Sequence, residues 1–178
     1  MNEAAVPSRP PLPSPASALQ TRFEHIRQHQ MAGVPMLNPA LRVQALGFRP
    51  WSEHWLGVLV TPWFMNLVLF PRMHEHWQRV GERESRHYVF PAGVFEFIGS
   101  HDAELGDYQA CSLFSPMFEF ADHAAAHDTA VAALAALFDA AHRPGSDAPP
   151  QDPPAPAKPA LSKRDFLFGG AARGPREP

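Results

Sequence analysis

The chain has 178 residues, 45% of them hydrophobic, and its 15 Lys and Arg against 18 Asp and Glu give a formal net charge of -3. That length suits one packed domain with extensions, and the near balance of charge excludes the strongly basic face that nucleic-acid binding requires. A single cysteine, Cys111, excludes an internal disulfide and any cysteine-ligated iron cluster held by these residues alone.

Prolines divide the chain. Residues 1–15 carry five of the 21 prolines and residues 143–160 carry seven. Neither segment has the apolar surface to offset its ordering entropy, so a disordered arm over 1–16 and a linker over 143–160 are expected. The arm has too few consecutive apolar residues for a secretory signal, and a cytoplasmic location is expected. One domain is expected over 17–142, with an apolar docking tail over 161–170 and a disordered end over 171–178.

From Ser17, Leu19, Phe23 and Ile26 recur at helical spacing, and Gly33 and Pro35 close the segment. Leu41, Val43 and Ala45 then alternate with other residues toward Phe48, predicting a first strand that ends near Arg49-Pro50. Trp55 to Pro71, WLGVLVTPWFMNLVLFP, is the most apolar stretch. Its length approaches a membrane span, but Pro62 and Asn66 fall in its interior, so it reads as two buried strands joined through Thr61-Pro62-Trp63.

The charged run after Pro71, RMHEHWQRVGERESRHY, reads as a solvated segment. Val94, Glu96 and Ile98 then alternate with Phe95 and Phe97, and DYQACSLFSP follows a Gly106 turn. Together they predict a hairpin with its loop from His101 to Gly106. Asp122 is placed to cap a last helix running to His142, with Val131, Leu134, Phe138 and Ala141 as its apolar stripe and Leu137 widening it. Consecutive strands between two terminal helices predict an α+β two-layer sandwich, a mainly antiparallel sheet of four to five strands with helices packed on one face.

Ten histidines raise the question of a metal. His25 and His29 are spaced i, i+4, as are His123 and His127, and His74-Glu75-His76 could add a third group. Nothing in the sequence makes them converge, and a tight site needs three or four ligands with a supporting shell, so solvated histidines and no metal are expected. Cys111 reads as a small buried hydrophobe, and no nucleophile elbow or phosphate-binding glycine loop occurs. No enzyme activity and no cofactor are expected. The aromatics exceed what one face of a small sheet needs, leaving apolar surface of the kind that binds proteins or peptides.

Several separated stretches carry a resemblance: WLGVLVTPWFMNLVLFP, FPAGVFEFIG, YQACSLFSP and KRDFLFGG, with Thr61-Pro62-Trp63, Phe70-Pro71, Cys111-Ser112-Leu113 with Ser115-Pro116, and Leu167-Phe168-Gly169 the most diagnostic. In this order, across Thr21 to Gly170, the chain resembles the HybE family of nickel-iron hydrogenase assembly chaperones. The resemblance implies a cytoplasmic, noncatalytic accessory protein that binds large- or small-subunit precursors of a hydrogenase before its export by the twin-arginine route. Some relatives carry a rubredoxin domain with two Cys-x-x-Cys motifs; these 178 residues have neither motif, so iron binding does not carry over. A histidine-based metal-delivery protein and a secretion-chaperone-like binder of another client are the rival readings.

The tail Ser162-Lys163-Arg164-Asp165-Phe166-Leu167 resembles the twin-arginine consensus, with Lys163 in place of the first arginine and no hydrophobic run after it. It either occupies a groove that otherwise receives the client's signal peptide or completes the sheet or core. The candidate partner-binding residues are Trp51, Trp63 and Phe118 on the domain and Lys163, Arg164 and Phe166 on the tail.

Overall fold

The computed structural model describes residues 11–73 and 77–143, so most of the expected linker and the whole tail lie outside the described residues. Helix α1 spans Ala16–His29 and buries Leu19 and Phe23, four apart on one face, with Arg27 and His29 in its last turn where cations favour the helix dipole. Within the segment expected as a free arm, Leu12 is tied down: its N–H donates to the Arg72 carbonyl at 2.8 Å, and its carbonyl accepts from Trp55 Nε1 at 3.0 Å.

Six strands follow: β1 (Gln44–Trp51), β2 (His54–Val60), β3 (Met65–Pro71), β4 (Ser85–Phe90), β5 (Gly93–Asp102) and β6 (Gly106–Phe114). They form one antiparallel sheet in the order β1-β2-β3-β6-β5-β4. The expected α+β class, the paired central strands and the β5–β6 hairpin are all present. The strand count exceeds the expected four to five because β4 lies in the run read as solvated. Its Arg86, Tyr88 and Phe90 turn inward while Ser85, His87 and Val89 face out, and charge on an edge strand masks that alternation in the sequence.

Helix α2 (His123–Ala136) completes the fold, capped by Asp122, whose side chain accepts from the Ala125 N–H at 2.8 Å. The two helices are divided between the faces of the sheet, where one face was expected to hold both. Leu56, Val58 and Val60 of β2 pack with Ala126, Ala130, Ala133 and Leu134 of α2, whereas Leu59 of β2, with Val68 and Phe70 of β3, packs with Leu19 and Phe23 of α1. Neighbouring residues on a strand point to opposite faces, so β2 and β3 are buried on both sides.

The stripe of α2 is also rotated from its expected position. Its sheet-facing residues are mostly alanines, which let the helix approach closely, and Val131 is 48% exposed. The helix ends at Ala136, short of His142; Leu137 and Phe138 continue in a turn, and a short 3-10 turn spans Ala140–His142. Among the described residues no helix is long and apolar enough to cross a membrane.

The sheet curls around the α2 side. Trp51, at the end of edge strand β1, reaches Phe90 at the end of the opposite edge strand β4, and Arg49 lies over the Phe138 ring at 3.9 Å. On the α1 face, the Phe48 ring covers Gly57, where any Cβ would collide with it.

Candidate functional site

The three domain residues expected to bind a partner occupy two ends of the sheet. Trp51 sits at the β1–β2 turn. Its ring packs on Phe90, meets Tyr88 edge-on at 5.7 Å and lies 5.9 Å from His54. Trp51, His54, Gln78, Arg86 and Tyr88 line an open cleft of about 290 Å³. Burial holds the His54 imidazole below its ordinary pKa, and the nearby Arg86 guanidinium adds to that shift. Trp51 is partly buried and joins two strands, so its ring belongs to the architecture as well as to the cleft.

Trp63 and Phe118 lie at the other end, where three loops converge on one buried side chain. The backbone N–H of Asn38 donates to the Pro62 carbonyl at 2.9 Å, and its Nδ2 donates to the carbonyls of Met117 at 3.0 Å and Phe120 at 2.8 Å. The Thr61 hydroxyl organises the β2–β3 turn: it accepts from the N–H groups of Trp63 and Phe64 and donates to the Phe64 carbonyl. A threonine at the head of Thr61-Pro62-Trp63 therefore satisfies two turn amides that the ladder leaves unpaired.

Trp63 is partly buried, stacked against Phe23 of α1 at 6.5 Å and edge-on to Phe64 at 5.6 Å. Phe118 is different. It is 59% exposed between Met117 and Phe120, both buried, and Met36 on the neighbouring loop is 44% exposed. This end of the molecule thus presents apolar side chains on a hydrogen-bonded frame. Lys163, Arg164 and Phe166 lie outside the described residues.

The histidine pairs have other attachments. His25 and His29 stack at 4.1 Å on α1, while His123 Nε2 and His127 Nδ1 both approach Gln44 Oε1, at 2.8 and 3.2 Å. His123 Nδ1 accepts the Arg42 backbone N–H at 3.4 Å. The neutral ring suits these contacts, and burial first, then Arg42 and His127, lowers its pKa. The two pairs sit on opposite faces of the sheet, and no group of three or more metal-capable side chains forms among the described residues. Cys111 is buried in the α2-side core, as its strand context predicts.

A network that sequence reasoning missed joins α1 to the β5–β6 turn. Asp102 accepts from Arg22 Nε at 2.9 Å and from the N–H groups of Glu104 and Leu105, while Arg22 also pairs with Glu104. Burial works against ionisation of Asp102, yet the Glu104 amide and the Arg22 guanidinium together hold its pKa below the usual carboxylate range. Eighty positions separate the partners, and no local pattern links them.

With this geometry, the chain matches the family described as NiFe-hydrogenase assembly, chaperone, HybE over residues 14–169. It belongs to the HybE family. It is 40% identical over 167 residues to Protein HoxT of Cupriavidus necator, covering 85% of this chain and 86% of that one. It is also 40% identical over 131 residues to the probable rubredoxin HupJ of Rhodobacter capsulatus, covering 74% of this chain but 47% of that longer relative. The solution structure of HybE from Escherichia coli has a TM-score of 0.55 at 22% identity, covering 86% of this chain and 96% of that one, a likeness of fold. This HybE-family chain is accordingly placed among hydrogenase assembly chaperones.

Proposed function

We propose that this protein binds precursor subunits of an exported nickel-iron hydrogenase during maturation, without catalysis, and holds them until they are competent for export. Family membership supports the assembly role. At the level of residues the reading is carried by Phe118, a large aromatic held out to solvent while Asn38 fixes the backbone on both sides of it. A rigid apolar anchor of this kind supplies binding energy with little ordering cost, and a few such anchors suffice for a reversible interface.

In this reading Phe118 is the principal anchor, Trp63 supports it from the adjoining turn, and Trp51 acts separately through its cleft. The client's twin-arginine signal peptide is a candidate ligand, and the protein works in the cytoplasm before export. The test is purification of the native chain with its bound client and identification of the copurifying subunit by mass spectrometry. Recovery of a hydrogenase subunit precursor is the expected result; recovery of unrelated proteins alone overturns the reading.

A further inference from the structure

Among the described residues, the outer face of the β4–β5 hairpin is left uncovered. Val89 and Val94 are directly paired across the two strands and are 69% and 55% exposed; Ile98, farther along β5, is 48% exposed. Ile98 pairs with Ala110, which packs in the α1-side cluster, so this strip continues the face that α1 covers. Yet none of the three belongs to either packed cluster. Glu96 projects from the same side, between Val94 and Ile98.

The described chain ends at the β4–β5 turn, on the α2 face of the sheet and one strand turn away from this strip. Phe138, just before the last turn, meets Phe90 edge-on at 5.8 Å, and the Leu137 carbonyl accepts from the N–H of Ala92 in the β4–β5 turn. Residues 144–165 separate that point from Phe166. A flexible chain of that length spans roughly 25 Å, and a proline-stiffened one more, so the tail can reach the strip from its own exit point. The sequence of the tail is complementary. In an extended chain Phe166 and Phe168 fall on one side, and Lys163 and Arg164 precede them. The family match also runs to residue 169, past the proline-rich linker, which sets these residues apart from simple spacer.

We propose that this protein's own segment 163–168 docks on the outer face of the β4–β5 hairpin, with Phe166 and Phe168 over Val89 and Val94 and the basic pair beside Glu96. The tail thereby covers an apolar strip of the sheet that, among the described residues, neither helix reaches. This docking does not depend on the client-binding reading.

Disulfide trapping in the full-length chain tests it, with cysteines introduced as Glu96→Cys and Arg164→Cys, since Arg164 shares the sheet-facing side of Phe166 and Phe168 in an extended chain. The control carries Arg164→Cys with Ala132→Cys on the exposed side of α2. An intramolecular cross-link forming at least tenfold faster in the first protein than in the control is the expected result. Equal rates, or no cross-link, overturn the proposal, and a disulfide-linked dimer would assign the strip to a second copy and overturn it as well. A second measurement avoids new cysteines: in full-length Phe166→Asp/Phe168→Asp, hydrogen exchange at Val89 and Val94 should quicken by tenfold or more, and unchanged exchange counts against docking. No client is present in either experiment, so its failure is distinct from failure of the chaperone reading.

Discussion

The indole of Trp51 and the ring of Phe90 stack with centroids 4.2 Å apart and planes 18° apart, joining the ends of the two edge strands of a six-stranded sheet. Strands first and last in the sheet order are thereby brought into contact, and the curl that results encloses the core under α2.

Trp51→Ala should therefore destabilise the fold by about 3 kcal/mol, the low end of the range for large aromatic truncations because the ring is only partly buried. Trp51→Phe should retain more than half of that. Urea unfolding midpoints check both values; a loss below about 0.5 kcal/mol in the alanine variant would mean the stacked pair does not hold the sheet edges together.

Phe118→Ala should behave in the opposite way. With its ring exposed, stability should change by no more than about 0.5 kcal/mol, whereas client affinity should fall at least tenfold, or about 1.4 kcal/mol. Thermal melts and titration against the copurified subunit separate the two quantities.

Asn38→Leu removes both side-chain donations to the Met117 and Phe120 carbonyls while keeping a similar volume. The Phe120 carbonyl then lacks this donor, the Met117 carbonyl keeps only the Phe120 N–H, and the Ala40 N–H loses its acceptor at Asn38 Oδ1. A loss of about 2–4 kcal/mol is expected at roughly 1–3 kcal/mol per orphaned group, partly offset by the added apolar contact. Exchange rates of loop amides near Phe120 should rise with it, read by mass spectrometry.

Acid should weaken the fold through two histidines. The folded-state pKa values of His54 and His123 both lie below the ordinary value of 6.5, chiefly because burial disfavours the charged ring. The unfolded chain therefore takes up protons more readily, and the stability these rings contribute is complete above about pH 6.5 and is lost as pH falls toward their folded pKa values. Melting temperature should decline between about pH 6.5 and 5, and His123→Gln should flatten part of that slope. A slope identical to that of the parent would assign the pH dependence elsewhere.

Much of the fold is legible in the residues. Leu19 and Phe23 announce α1, Asp122 announces the start of α2, and the alternation from Val94 to Ile98 gives β5. The continuous apolar run of β2 also carried a signal that both faces are covered, because a strand facing water on one side would alternate polar and apolar residues. β4 was obscured because its half-buried Arg86, whose guanidinium lies over the Tyr88 ring, reads as solvated charge. The α2 stripe was misplaced because its contacts are made by alanines, whose small side chains mark no periodicity. At the site, an exposed Phe118 could be suspected from the surplus of aromatics, but the meeting of Asn38 with Met117 and Phe120 depends on long-range closure that no sequence period encodes.

The three hydrogen bonds that Asn38 donates bear on how a client of the proposed kind would be released. Because one amide locks the loops around Phe118 before any partner arrives, docking freezes few additional backbone torsions, and letting go restores little chain disorder. The lifetime of the complex is then governed by the contact patch itself, so trimming or enlarging a few exposed side chains should tune residence time without reshaping the loops that carry them.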